Sequence, residues 1–156
     1  MIIRPALAAD VSAMTEILNA IVGIGGPTAH EIIKTTEAVR TEYMDGPNEL
    51  AAVVAEDQGQ VIGWQSVGFW QGEAHIGTCV QLGVQAKGIG VQMFALTCDA
   101  LRSAGIRALI ASIRADNAPG LAHYSRISFV DTSFEPDFAL PDGRIVGRVP
   151  QRFARD

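Results

Sequence analysis

Residues 74–105 read "AHIGTCVQLGVQAKGIGVQMFALTCDALRSAG". A β-rich apolar run passes through a glycine-bearing loop into a segment with helical spacing. Ile89, Met93, Leu96, Ala100 and Leu101 keep the helical period over 88–104, and Gly105 stands where a left-handed cap belongs. Glycine inside helical turns costs roughly 1 kcal/mol against alanine, yet Gly88 and Gly90 crowd this helix start. Something must come close to that backbone. A strand entering a helix through such a loop makes an anion site, because unpaired N–H groups and the positive dipole end point at one spot; phosphate is its natural guest.

Working outward, "LAAVVAEDQGQVIGWQSVGF" is two apolar, β-branched segments around a polar turn containing Gly59, a hairpin signature. Gln71-Gly72-Glu73 then turns the chain into "AHIGTCV" as a third strand. Before the hairpin, Ile2, Ile3 and Arg4 form a short strand closed by Pro5, and Asp10 caps a helix with Val11, Met14, Ile17, Leu18 and Ile21 on one face. The "GIGGP" stretch from Gly23 ends that helix. Residues 28–46 read as a second helix with Ile32, Ile33, Val39 and Tyr43 on its buried side. Downstream, "RALIASI" has the pattern of a central strand buried on both faces. Asn117 caps a short helix with Pro119 in its first turn, and "SFVDTSF" and "RIVGRV" are two last strands around the turn Pro141-Asp142-Gly143. The expected order is β-α-α-β-β-β-α-β-α-β-β in one domain spanning residues 1–156, an α/β fold with a mixed sheet and helices on both faces.

At 156 residues, 48% apolar and 19% charged, the chain is long enough for one sizeable core and too apolar for disorder. A net charge of −5 gives a nucleic-acid partner no electrostatic support and leaves small ligands open. Cys79 and Cys98 show neither CxxC nor Cys/His ligand spacing, so neither a disulfide framework nor a structural metal is expected. The N-terminus has no basic region ahead of an apolar core, and runs such as "LAAVVA" fall far short of the roughly 18 residues of a membrane span. A cytoplasmic protein with no membrane partner is expected.

Which phosphate the loop takes is a matter of spacing. Gly83 and Gly88 have the first spacing of a Walker loop, but Ile89 and Gly90 stand where Lys and Ser/Thr are needed; after Gly88 and Gly90 the third position of a dinucleotide fingerprint is Met93. The pattern [Q/R]xxGx[G/A] does fit, over Gln85, Ala86, Lys87, Gly88, Ile89 and Gly90. Here the chain resembles the GNAT acetyltransferases, whose acetyl-CoA loop has this form. "VQLGVQAKGIG" is similar to that family's VxPxxRGxGIG, and "NAPGLAHYSRISF" to its NxxAxxLYxxxGF, with Asn117, Gly120, Tyr124 and Phe129 at matching spacings. The stretches "IRPALAADVSAMTEILNAIV" and "DNAPGLAHYSRISF" look most like the phosphinothricin-type N-acetyltransferases. Leu82 replaces a usual proline, Ala86 a usual glycine and Ser128 the glycine before Phe129. If position 128 needs a left-handed backbone, serine costs about 1 kcal/mol there.

The resemblance implies a mostly antiparallel GNAT-like sheet and acetyl-CoA as cosubstrate, held by the main chain from Gln85 to Gly90 with Val91 just inside the helix. It implies that the backbone of Val80, Gln81 and Leu82 bonds the pantetheine arm and polarises the thioester. Tyr124 then becomes the acid for the departing thiolate, against the alternative of an amphipathic rim residue. Asn117 bonds pantetheine, caps its helix, or both. The family's glutamate in a stretch resembling ExSVYV aligns with His75, whose imidazole can take a proton from an ammonium; Glu73 is the off-register alternative, and a hydrogen-bonded half-buried histidine the structural one. His30 and His123 show no partner pattern. Burial would raise the pKa of Cys79 and argues against an acyl-cysteine route. Trp64 reads as core before pocket wall. The expected activity is acetyl transfer to the primary amine of a small molecule, an amino acid or analogue, by direct attack. Acetylation of a protein N-terminus or lysine, and a non-catalytic acyl-CoA sensor, are the alternatives. A homodimer follows from the resemblance alone.

Overall fold

Two tight turns build the N-terminal half of the sheet. In the computed structural model, which describes residues 1–23, 32–84, 88–115, 117–139 and 145–154, strand β1 (Ile2–Pro5) pairs with β2 (Glu49–Asp57), β2 with β3 (Gln60–Trp70) and β3 with β4 (Glu73–Val80), all antiparallel. Gln58 and Gly59 (φ 51° and 80°) close the first hairpin, and Gln71 and Gly72 (φ 52° and 79°) the second. Positive φ at both central residues is the two-residue turn whose twist suits a hairpin. The predicted loop residues Gln85, Ala86 and Lys87, along with His30, the start of the predicted second helix at 28–31 and the turn at 141–143, lie outside the described residues.

Helix α1 (Val11–Gly23) follows a 3₁₀ turn over Ala8–Asp10 and packs Met14, Ile17, Leu18 and Ile21 onto Val54, Trp64 and Cys79 of the sheet. Asp10 ties down this entry differently from a simple cap, accepting from the Leu7 N–H at 2.7 Å and from the Arg4 guanidinium at 2.8 and 2.9 Å. The expected helix over 28–46 is shorter. Helix α2 (Thr36–Arg40) begins where Thr35 accepts from the Ala38 N–H, and runs into a π-helical turn at Thr41–Asp45. Val39 is buried and Tyr43 half-buried as expected, but Ile32 and Ile33 are 60% and 66% exposed. They precede the cap, so the helical period does not carry them onto the buried side.

On the other face lies α3 (Ile89–Ser103), with Ile89, Met93, Phe94 and Leu101 buried. Gly105 (φ 76°) ends it as expected, with the Ile106 N–H bonded to the Leu101 carbonyl at 2.9 Å. Strand β5 (Ala108–Arg114) is internal, but its two faces are unequal: Leu109, Ala111 and Ile113 are buried, while Ile110 and Ser112 are half-covered. Among the described residues α1 packs over β3 and β4, and no helix makes comparable contact with that face of β5. Helix α4 (Ala118–Arg126) ends in a left-handed Ser128 (φ 78°), with the Phe129 N–H bonded to the Tyr124 carbonyl at 2.9 Å. Serine thus occupies the cap position glycine prefers, and Ser128→Gly is expected to stabilise the fold by about 1 kcal/mol in a urea melt.

The C-terminal sheet differs from the expectation. "SFVDTSF" supplies only the two residues of β6 (Val130–Asp131); β7 (Glu135–Ala139) is an additional strand, and β8 runs from Ile145 to Ala154. The sequence "EPDFA" hides β7 because Pro136 falls in the pairing irregularity between Glu135 and Phe138. Among the described residues the sheet has eight strands in the order β1-β2-β3-β4-β5-β8-β6, with β7 on β8. Every neighbouring pair is antiparallel except β4 and β5, which run parallel through one register pair, His75 with Ile110.

Candidate active site

Strand β4 pairs with β5 near its own start, at His75, and runs on to Val80 before the chain returns to the sheet as α3. Gly88, at the N-cap, has the left-handed φ of 71° that lets the loop enter the helix. The first intrahelical bond is Gln92 N–H to the Gly88 carbonyl at 3.1 Å, so helix geometry leaves the N–H groups of Ile89, Gly90 and Val91 aimed outward at the positive end of the dipole. They border a cavity of about 610 Å³, which also takes in Thr78, Val80, Leu82, Asn117 and Tyr124. Asn117 caps α4, its Oδ1 accepting from the Gly120 N–H at 3.0 Å, while also lining this cavity. Gln81 stands apart: its N–H bonds to the Ile62 carbonyl at 2.8 Å, and it lines a second cavity of about 660 Å³ beside Arg4 and Asp10.

Gly90 answers the crowding of glycines in an unexpected way. A Cβ there would lie 2.6 Å from Cε1 of His123, whose ring rests on the first turn of α3 and meets the Tyr124 ring edge-on at 4.8 Å. Sequence reasoning left His123 out, because neighbouring helical side chains usually diverge; the dock of α4 on α3 brings it to the cavity. Burial, reinforced by Arg126, lowers the His123 pKa and favours the neutral ring.

Tyr124 is buried, and its hydroxyl lies 2.9 Å from Thr78 Oγ1 at the seam. Burial raises its pKa, only partly opposed by the Thr78 hydrogen bond. A phenol so placed keeps its proton at neutral pH and can donate it into the cavity. Buried Cys79 has its thiol pushed up to about 12 by desolvation, which leaves it a poor nucleophile.

His75, Gly77 and Cys79 alternate away from Thr78 onto the α1 face. Across the strands His75 registers with Gly68, and Gly68 with Glu49. His75 and Glu49 therefore flank a glycine at a backbone separation of about 10 Å. The Glu49 carboxyl leans into that gap: a Cβ on Gly68 would lie 2.8 Å from Oε1. Glu49 Oε2 and His75 Nε2 are both buried without a hydrogen-bond partner among the described residues. Burial, with a contribution from Glu42, pushes the Glu49 carboxyl up to about 7. Burial lowers His75, against the opposing pull of Glu73 and the Trp70 backbone carbonyl. Trp70 stands edge-on to His75 at 5.4 Å, while Trp64 is 2% exposed in the core. Nearby Gly77 is exposed in mid-strand, with nothing among the described residues within 4 Å of the position its Cβ would take. Glu73 is exposed at the start of β4, on the same face as His75. Glu49 went unnoticed in the sequence because the bulge at Leu50 sets its register, and pairing across three strands leaves no local signal.

A model of the acetyltransferase (GNAT) family matches residues 16–129. No protein of curated function matches the chain. Among solved structures, yncA from Salmonella typhimurium, a putative acetyltransferase with its cofactor acetyl-CoA, is 25% identical with a TM-score of 0.84, covering 100% of this chain and 94% of that one. A GNAT superfamily phosphinothricin acetyltransferase from Sinorhizobium meliloti, in complex with AcCoA, is 21% identical (TM-score 0.84; 98% of this chain, 87% of that one). The ribosomal-protein-alanine N-acetyltransferase of Brucella melitensis is 23% identical (TM-score 0.83; 99% and 100%). With a helix N-terminus, a seam tyrosine and a family match running from α1 to the end of the α4 cap, the chain belongs to the GNAT acetyltransferase family.

Proposed function

We propose that the protein transfers the acetyl group of acetyl-CoA to the primary amine of a small molecule, an amino acid or analogue, by direct attack. The observation that carries this reading is the single cavity joining the first turn of α3 to the Tyr124 hydroxyl at the β4–β5 seam. The chain fits coenzyme A there: Gly88 brings the backbone round, Ile89, Gly90 and Val91 offer N–H groups to a diphosphate, and the Gln85–Lys87 loop precedes them. Val80, Leu82 and Asn117 line the way from that end to Tyr124.

When bound, acetyl-CoA supplies an activated thioester; alignment and charge complementarity are the protein's part. Glu49, His75 and Glu73 are not among the residues lining that cavity; in this reading the acceptor comes from the α1 face, where Glu49 and His75 receive the ammonium and remove its proton, with Glu73 at the rim. A C–N bond forms as the C–S bond breaks, and Tyr124 gives its proton to the departing thiolate. The net reaction yields amide, free thiol and one proton released to solvent.

A raised Glu49 fixes the sign of two pH effects. Since the folded carboxyl holds its proton to about pH 7 while an unfolded one releases it near 4.3, this group makes the fold less stable as pH rises through that window, and Glu49→Gln removes that slope. In catalysis the ionised form is the base, so kcat/KM should climb to a plateau above pH 7. Glu49→Gln should lower it about 10- to 100-fold and flatten that limb. An unchanged profile in Glu49→Gln would remove Glu49 from the mechanism.

The function itself is tested by melting the protein with CoA, NAD or ATP, then following thiol release from acetyl-CoA with amino acids, polyamines, aryl amines and short peptides. CoA at a hundredfold excess over its Kd should stabilise by about 2.7 kcal/mol, and the other nucleotides should not. Faster turnover of peptides than of free amines would favour a protein acetyltransferase. CoA binding with no thiol release from any acceptor would favour a sensor.

A further inference from the structure

Two polar side chains, Gln65 and Thr97, have no solvent exposure and sit between apolar layers outside the cavity. Burying an amide and a hydroxyl is costly unless each is hydrogen-bonded. Here they form one chain that ends at the reacting tyrosine. Thr97 Oγ1 donates to Gln65 Oε1 at 2.6 Å, and Gln65 Nε2 donates to Thr78 Oγ1 at 2.9 Å. The Thr78 hydroxyl has a single hydrogen. Since it accepts from Gln65 through one lone pair, that hydrogen is free to point at the Tyr124 oxygen 2.9 Å away, the arrangement on which the inference below is built. The phenol then holds its own hydrogen clear of Thr78, on the cavity side.

We propose that Thr97, Gln65 and Thr78 are positioning residues, a one-way hydrogen-bond relay that starts on α3 and aims the Tyr124 proton at the sulfur of the leaving thiolate. The inference rests on the reading of Tyr124 as the acid in acetyl transfer. The direction is carried by the orientation of the Gln65 amide: with its oxygen on Thr97, the amide hydrogen falls to Thr78. Turning the amide over reverses every link and swings the phenol proton onto Thr78, away from the cavity. Thr97 holds the amide in the productive orientation when its hydroxyl donates to Oε1, although it is on the far side of Gln65 from the reacting atoms.

The test compares Thr78→Val, Thr78→Ser and Thr97→Val in wild-type and Tyr124→Phe backgrounds, with steady-state kinetics and an ultraviolet titration of the thiol of bound CoA. Thr78→Val should lower kcat about 10- to 100-fold with KM for acetyl-CoA little changed, Thr78→Ser should restore it to within about threefold, and Thr97→Val should lower it about 3- to 10-fold. In the Tyr124→Phe background these changes should have almost no further effect, since nothing is left to aim. Bound CoA should ionise at higher pH in Thr78→Val than in the wild type, because the thiolate loses its aimed donor. Should Thr78→Val fail to fold, Thr78→Cys, a weaker donor, carries the same comparison. Equal losses of kcat in both backgrounds, or an unmoved thiol titration, would overturn the relay. A wild-type protein that binds no CoA would instead overturn the acetyltransferase reading.

Discussion

Tyr124→Phe is expected to lower kcat about 100-fold while the melting shift produced by CoA stays as in the wild type. General acids contribute roughly 10²- to 10⁴-fold. The low end is expected because a thiol of pKa near 8.5 is already a fair leaving group at neutral pH and needs less help than an alkoxide. Phenylalanine keeps the ring against Phe129 and His123, at 5.1 and 4.8 Å in the wild type. The packing cost is therefore small, and the broken hydrogen bond to Thr78 costs about 1 kcal/mol. Turnover within threefold of wild type, or CoA affinity falling in step with kcat, would take the acid role away from Tyr124.

The largest effect on stability is expected at Trp64. Its indole lies under α1, with Nε1 donating to the Met14 carbonyl at 3.0 Å and Tyr43 edge-on at 5.0 Å. Trp64→Ala opens a large cavity and removes the indole's added bond to the Met14 carbonyl, at a cost of about 3–5 kcal/mol. A domain has about 5–15 kcal/mol in all, so the melting temperature should fall by roughly 6–20 °C. Trp64→Phe separates the two terms: it keeps most of the volume and loses only the indole hydrogen bond, for about 1 kcal/mol. A urea melt that hardly moves for Trp64→Ala would place the indole outside the core.

What could be read without coordinates was local. The strand, loop and helix over 74–105 declared themselves because Gly88 and Gly105 sit at the two ends of one uninterrupted helical period, and both have the positive φ that glycine favours. Tyr124 came from the resemblance of "NAPGLAHYSRISF" to a family segment, and the structure sets it in the same cavity as Gly88, Gly90 and Asn117. Readings that needed a partner elsewhere in the chain fared less well. Ile32 and Ile33 look buried by period and lie exposed, because a threonine cap three residues on decides where the helix begins. Strand β7 was invisible because Pro136 argues against a strand, while its edge pairing to β8 tolerates one. Glu49 and Gln65 carry no motif at all. One depends on a bulge, the other on a threonine 32 positions further along the chain.

The seam between β4 and β5 has a mechanical meaning. Those neighbours share one register pair, whereas β2 with β3 and β5 with β8 zip along most of their length. The protein is thus two stiff panels on a narrow hinge, and a ligand lodged in the cavity touches β4 on one side and α4, the helix that follows β5, on the other. Such a ligand acts as a rivet: amide deuterium uptake in β5 and β8 should slow when CoA is added, even though neither strand has a residue among those lining the cavity.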